Sequence, residues 1–219
     1  MATEELSKAA QDYLKAIYAL EAAGVRVTTS AVADRMEVSA PSATAMMKRL
    51  AELGLAERAP YRGVVLTAAG RRRALEVLRH HRLLERYLAD TLGLPLDKLH
   101  AEADRLEHAL SEELEHRIDE ALGFPTHDPH GDPIPDRDLN IADAETRALL
   151  DLAPGERSKV ARVPDNDAEL LRYLAELALL PGEPFELTAI APFGGPISVR
   201  TGTGDHAIAR ELAAAVSVE

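Results

Sequence analysis

Residues 28–54, TTSAVADRMEVSAPSATAMMKRLAELG, decide the fold of the N-terminal third. Thr28 or Thr29 can cap a short helix, because a side-chain oxygen there accepts from an otherwise unpaired first-turn N–H. Val32 and Met36, four apart, share one face and predict its buried side. Ser39 caps the next helix, Pro41 sits in its first turn where a missing N–H costs nothing, and Gly54 ends it. Two helices separated by a turn of about three residues spell a helix-turn-helix.

Working outward, residues 4–23 place Leu6, Ala9, Tyr13, Ile17 and Leu20 at helical spacing, with Gly24 as a stop signal. After Gly54, LAERAPYRGVVLT holds two short apolar runs around Pro60 to Gly63, which predicts a β-hairpin, a wing. The third helix presents Ser39, Ser42, Thr44, Lys48 and Arg49. Arg58 and Arg62 lie in the hairpin, and Arg71, Arg72 and Arg73 follow it. Small hydroxyls allow close approach to bases, and the cations neutralise phosphates. Two packed helices alone would imply nothing further; the wing and the clustered cations predict binding to double-stranded DNA.

The charge distribution agrees. The 219-residue chain has a net charge of −12, yet residues 1–75 hold 11 Lys and Arg against 8 Asp and Glu, and the remainder 14 against 29. A net-basic module that meets phosphates is thus followed by a strongly acidic region with another task. There is no Cys, which excludes disulfides and thiolate zinc sites. The start, MATEELSKAAQDYLKAIYAL, lacks the basic end and unbroken apolar run of a signal peptide, and nothing approaches the roughly 18 apolar residues of a membrane span. A cytoplasmic protein without a membrane partner is expected.

The acidic region carries metal-ligand side chains at helical spacing. A long helix is predicted from Thr67 to Leu92, stopped by Gly93 and Pro95, with His81 and Glu85 one turn apart. A second, from Pro95 through Leu110, carries His100, Asp104, Glu107 and His108, which would fall within about a third of the helix circumference. A polar stripe is usually a solvated face with i, i+4 charge pairs. Histidine is scarce in such stripes, and Leu83, Leu84, Leu88, Leu99, Leu106, Leu110 and Leu114 mark these helices as packed, so the pattern points to a metal ion. Ser111 caps a further helix, SEELEHRIDEALG, with Leu114, Ile118 and Leu122 as its apolar stripe. These stripes exceed what one small winged-helix unit can bury, and a homodimer is the expected use.

Residues 123–140, GFPTHDPHGDPIPDRDLN, are too rich in Pro, Asp and Gly for helix or sheet and read as a linker. His127, Asp128, His130 and Asp132 within it are set aside as a second metal site, because such loops seldom preorganise ligands. Beyond it, DAETRALLDLAPG reads as a short helix and turn, SKVARV as a strand, and residues 167–180 as a helix ended by Pro181-Gly182. PFELTAI and PISVRTG alternate like strands around Phe193 to Gly195, and HAIARELAAAVSVE reads as a last turn of helix and a strand. This suggests a small β-barrel without a catalytic constellation. The fold class is mainly α with a small β domain: a winged helix-turn-helix at 1–75, a helical metal-binding and dimerisation domain with its linker at 76–140, and a β domain at 141–219.

Several of these motifs in order resemble the diphtheria toxin repressor family of metal-dependent transcriptional regulators, over essentially the whole chain. The resemblance rests on SAPS opening the recognition helix, HRLLERYL, KLHAEADRLEH, HGDPIP, and YLAELALLPGEPF in a C-terminal domain similar to the SH3-like FeoA domain. It implies an activating metal site at Asp12, Asp104, Glu107 and His108, and an ancillary site at His81, Glu85 and His100. Asp165, Asp167 and Glu169 match the region from which the C-terminal domain lends further ligands, although one matching position is Leu170. Ser39, Pro41 and Ser42 match positions that approach the bases, while Ala45 stands where the iron-responsive branch has Gln, so a different operator is expected.

In the iron branch the positions of Asp12 and Asp104 resemble Met and Cys. Two aspartates make a harder site and favour Mn(II), with Fe(II) as the alternative, at one or two ions per subunit. The manganese branch is the nearer match, although a carboxylate found in some of its members one turn after the first Asp is Lys15 here. The resemblance implies a repressor that binds operator DNA in the metal-loaded state and controls metal uptake or homeostasis genes. Two rivals are a metalloenzyme, which lacks a spare base or oxyanion donor beside the cluster, and a winged-helix regulator answering to an organic effector.

Overall fold

Ser7 opens the first helix by accepting a hydrogen bond from Ala10 N at 3.3 Å. The computed structural model describes residues 6–59, 61, 63–142 and 145–219, which divide into two compact units. The first comprises residues up to 80 together with 107–110 and 135–140. In it α1 (Lys8–Ala22), α2 (Thr29–Arg35) and α3 (Ala40–Glu52) close around Leu14, Ile17, Val32, Ala43 and Leu50, all with no exposed surface. Thr28 and Ser39 are the caps of α2 and α3, and Pro41 stands in the first turn of α3.

The wing is antiparallel, β1 (Ala56–Ala59) against β2 (Gly63–Leu66), in register from Ala56↔Leu66 to Ala59↔Gly63. It is anchored at both ends. Val64 N donates to Val27 O at 3.0 Å, and Gly63 (φ +88°) lets β2 approach the segment before α2 so closely that a Cβ there would lie 2.1 Å from Val27 O. At the other end Glu21 accepts from Leu66 N at 2.9 Å and from Arg71 at 2.7 Å, tying α1 to the wing and to the start of α4 (Ala68–Asp90).

The second unit takes in residues 81–106, 111–134 and 141–219. Here α5 (Leu96–Leu106) ends in a 3₁₀ turn at Glu107–Ala109 instead of running on to Leu110 as one helix. The physical reason is Ser111, which must be extended (ψ 153°) to cap α6 (Glu112–Ala121), so the chain tightens before it. Leu106 and Leu114, expected to pack, are 44% and 50% exposed.

The C-terminal part is a six-stranded antiparallel sheet in the order β3 (Arg147–Ala148), β8 (Ser217–Val218), β4 (Arg157–Arg162), β5 (Pro184–Ile190), β6 (Ile197–Thr201), β7 (Gly204–Ile208), with α7 (Ala168–Glu176) and α8 (Arg210–Ala215). Its core holds Leu149, Leu171, Leu174, Leu179, Leu187 and Ile197, all but fully buried. Two expectations change. The helix expected in DAETRALLDLAPG is a 3₁₀ turn at Leu149–Asp151, not an α-helix: Arg147 pairs with Val218 and Leu149 N donates to Val216 O at 2.9 Å, so sheet pairing takes the residues before it, and Asp143 and Ala144 lie outside the described residues. Residues 206–208 of the last stretch belong to β7 rather than to a helix.

Residues 123–134 of the linker are irregular but fixed within this unit. Arg82 donates to Pro133 O at 2.5 Å and to Asp132 at 3.1 Å, and Arg162 reaches the same carboxylate at 3.2 Å. Val163 N donates to His130 O at 3.0 Å, and at Gly131 (φ +91°) a Cβ would stand 1.9 Å from Ala161 O.

Candidate metal centre

Two groups of side chains have the composition of metal sites. In the first unit, α1 contributes Asp12 and the 3₁₀ turn contributes Glu107 and His108. His108 Nε2 lies 2.8 Å from Asp12 Oδ1 and 3.3 Å from Glu107 Oε1, yet at neither does it form an aligned hydrogen bond. The opposite ring nitrogen explains its state. Gln11 Nε2 donates to Leu6 O at 3.1 Å, which turns Gln11 Oε1 toward His108 Nδ1 at 2.9 Å. Nδ1 must then carry a proton, so Nε2, which faces the two carboxylates, is the ring atom available to a metal ion. His80 Nδ1 lies 3.1 Å from Glu107 O and pins the turn.

Burial pushes the Asp12 carboxyl above its ordinary range, against the pull of His108 and Lys15 and with the help of Glu107. Lys15, one turn along α1, donates to both oxygens of Glu107 at 2.8 and 2.9 Å. Asp12 was invisible to periodicity and enters only through the resemblance.

In the second unit Glu85 is the hub. Its Oε1 lies 3.0 Å from His81 Nε2 and 3.4 Å from His100 Nδ1, and its Oε2 lies 3.5 Å from His130 Nδ1. Asp165 approaches His100 at 3.7 Å, and His81, Glu85, His100 and Asp165 together form one ligand group. Asp104 stands here too, 3.3 Å from His81 Nδ1 and 3.6 Å from His100 Nε2. α5 ends at Leu106, and Glu107 and His108 follow it in the 3₁₀ turn rather than in the same α-helix.

Glu85 on α4 and Asp128 and His130 of the linker form a further group, all buried. Gly131 and Arg82 hold this part of the loop, so Asp128 and His130 are fixed in place, unlike the side chains of a mobile loop. A signal was available in Asp-Pro-His-Gly-Asp-Pro, where two prolines and a glycine fix the backbone around one imidazole. Glu85 Oε2, Asp128 Oδ2 and His130 Nδ1 are buried with no aligned hydrogen-bond partner. Orphaned acceptors in a dry cluster carry a desolvation cost that a cation would remove, so the residues fit a divalent ion. Burial drives the Asp128 carboxyl up to about 8, with Glu85 and Asp132 adding to the effect. For Glu85 burial acts in the same direction, but the imidazoles of His100, His130 and His81 prevail and hold it well below the usual range. His130 is raised: burial opposes its charge, and the Glu85 carboxylate outweighs burial.

Asp167 does not join this group. It caps α7, accepting from Glu169 N and Leu170 N at 3.0 Å each, and Glu169 is exposed. His127 is exposed as well, with Thr126 Oγ1 3.0 Å from its Nδ1.

In the first unit, Ser39, Pro41, Ser42, Thr44, Lys48 and Arg49 are all exposed along α3. The two serine hydroxyls lie 2.9 Å apart, and Thr44 donates to Ala40 O at 2.8 Å. A concavity of about 490 Å³ opens beside them, lined by Arg26, Thr28, Lys48 and Arg58 among others. Arg62 lies outside the described residues.

A winged helix-turn-helix and buried carboxylate–imidazole clusters in one chain define the class: a metal-dependent DNA-binding regulator. Comparison with known proteins agrees segment by segment. Residues 5–64 match the iron dependent repressor N-terminal DNA binding domain, residues 67–136 the iron dependent repressor metal binding and dimerisation domain, and residues 147–219 the FeoA domain. The iron-dependent repressor IdeR of Mycobacterium leprae is 34% identical over 94% of this chain and 95% of its own length. The diphtheria toxin repressor of Corynebacterium diphtheriae is 35% identical over 75% of each. Among solved structures, a manganese-dependent transcriptional repressor in complex with manganese superposes with a TM-score of 0.87 at 39% identity, covering 95% of this chain and 98% of that one. The chain belongs to the diphtheria toxin repressor family of metal-dependent transcriptional repressors, whose members regulate genes rather than catalyse reactions.

Proposed function

We propose that this protein is a manganese-responsive, homodimeric, cytoplasmic repressor that occupies operator DNA of metal uptake or homeostasis genes when loaded with divalent metal. The observation that carries the metal choice is the donor set. Asp12, Glu107 and His108 in one group, and His81, Glu85, His100, Asp128, His130 and Asp165 in the other, offer only oxygen and imidazole nitrogen. Such hard donors suit Mn(II), and the absence of sulfur removes the usual bias toward softer ions. Fe(II) is the alternative, since relatives named iron-dependent repressors share about a third of the sequence.

Each group would hold a divalent ion, which supplies positive charge where carboxylates crowd; one or two ions per subunit would be bound. Asp12 belongs to the helix that packs on α2 and α3, whereas Glu107 and His108 lie between α5 and α6 in the chain. Holding these three side chains together would tie the DNA-reading helices to the turn from which α6 departs. That gives a physical route from occupancy to DNA affinity, a coupling typically worth about 1–3 kcal/mol. Leu106 and Leu114, half exposed on α5 and α6, are the side chains expected to be covered by a second copy. Ser39, Pro41, Ser42 and Thr44 are assigned to base edges, and Lys48, Arg49 and Arg62 to phosphates. The domain limits remain 1–75, 76–140 and 141–219 in this reading.

The test is anaerobic operator binding, on genomic fragments selected by the metal-loaded protein, titrated separately with Mn(II) and Fe(II). Half-maximal binding at lower Mn(II) is expected. A steep Fe(II) response with none to Mn(II) would reverse the metal assignment, and binding indifferent to chelator would remove the metal switch.

A further inference from the structure

Lys15 holds an unusual place for a helix-surface lysine. Its ammonium donates to both oxygens of Glu107, at 2.8 and 2.9 Å, and the Glu107 side chain has no exposed surface. A buried carboxylate needs a counter-charge, and this pair provides it without any ion. The same Glu107 Oε1 lies 3.3 Å from His108 Nε2, and that nitrogen lies 2.8 Å from Asp12 Oδ1. An ion held by these three side chains would therefore share a carboxylate with the ammonium, two like charges a few ångströms apart.

Lys15 can leave where Glu107 cannot. Its side chain is 21% exposed and ends a flexible four-carbon stem, whereas Glu107 is enclosed. We propose that Lys15 is a tethered competitor for Glu107, a built-in cation that an incoming divalent ion must displace, so that it sets the metal concentration at which the Asp12–Glu107–His108 group fills. The inference rests on the metal-binding reading above and adds to it a residue that tunes the threshold without ligating. It also gives the metal-free protein a defined arrangement at this point, since Glu107 stays paired to α1 in either state.

The experiment is equilibrium binding of Mn(II), read from the electron paramagnetic resonance signal of the free ion, on wild type, Lys15→Met, Lys15→Gln and Lys15→Arg. Thermal unfolding without metal verifies that each variant is folded. Removing the charge should tighten Mn(II) binding at this group by about tenfold, and Lys15→Arg should stay near wild type. In an Asp12→Asn background the tightening should vanish, which assigns it to this group. Unchanged or weaker binding in both neutral variants would overturn the competition, the latter because Lys15 would then be supporting the bound form. A wild-type protein that takes up no Mn(II) at all would instead sink the metal reading itself.

Discussion

Glu85 Oε2 and His130 Nδ1 face one another at 3.5 Å, each buried and neither in an aligned hydrogen bond. Glu85 comes from α4 and His130 from the Pro-rich linker, so a charge between them would fasten the loop to the helix. In its absence the two groups compensate one another only as a poorly aligned ion pair, so an ion between them would add stabilisation on the order of 1–3 kcal/mol. The relationship therefore predicts a metal-linked gain in stability. Wild type should unfold at higher temperature with Mn(II) present, by about 2.7 kcal/mol at a hundredfold excess over Kd. His130→Ala should lose most of the part due to this group, and thermal scans with Mn(II) and with chelator would show it. Equal metal-induced shifts in both proteins would remove His130 from the ligand set.

A second prediction concerns pH. Burial and the charges of Glu85 and Asp132 raise Asp128 to about 8, whereas the unfolded chain has the ordinary value near 3.8. Between these values the folded state holds a proton that the unfolded state does not. Unfolding releases it, so this group's contribution to stability is full below pH 4 and is lost as pH rises toward 8. His130, raised as well, acts in the same direction through its own range, whereas Glu85, held low, contributes above its unfolded value and loses that contribution in acid. Metal-free Asp128→Asn should therefore show a flatter loss of stability between pH 5 and 8 than wild type in denaturant titrations. A slope identical to wild type would show that Asp128 ionises normally.

Gln11, which touches His108 but offers no ligand to the group, gives a third. Its amide is fixed by Leu6 O, and its oxygen in turn selects the Nδ1–H tautomer of His108. Gln11→Ala frees the imidazole to rotate and to change tautomer, without removing a ligand. Loss of such an outer partner typically costs about 10–100-fold in metal affinity. Mn(II) binding at the Asp12 group should weaken by that factor while the Glu85 group keeps its affinity. Equal weakening at both groups would indicate a general loss of structure instead.

Local chemistry made most of the helices legible. Thr28, Ser39 and Ser111 cap as their positions suggest, and the alternation of PFELTAI coincides with β5. These are decisions made within a few residues. What escaped depends on contacts far along the chain. Arg147 to Leu149 pair with residues near the C-terminus, and no local pattern announces that partner. Asp128 and His130 looked like loop residues until Arg82, some fifty positions earlier, was seen to grip the same loop. The α-helix expected through Leu110 stops at Leu106 because Ser111 caps the next helix and the chain tightens into a 3₁₀ turn before it.

Arg49, exposed on α3, is assigned to the phosphate backbone. Arg49→Ala should weaken binding to operator and non-operator DNA alike and reduce the salt dependence by about one counterion. Fluorescence anisotropy over a range of salt concentrations measures both. A loss confined to one operator would assign Arg49 to a base instead.

Gly63 tests whether the wing matters as a positioned element. Its φ of +88° is unfavourable for any residue with a side chain, and a Cβ would fall 2.1 Å from Val27 O, a backbone atom held in the parallel bridge to this same residue. Val27 is 2% exposed and cannot retreat without disturbing the α1–α3 core, so β2 must move instead. The Val64 N to Val27 O hydrogen bond would then break, and the wing would lose its anchor at the end nearer its tip. Gly63→Ala should cost about 1–3 kcal/mol in stability. DNA affinity should fall for every sequence while Mn(II) binding at the Asp12 group stays within about twofold of wild type, since the anchor at Glu21, Leu66 and Arg71 and the residues of that group are untouched. Full DNA affinity in the variant, measured beside its metal-binding isotherm, would show that the wing does not contribute to the interface.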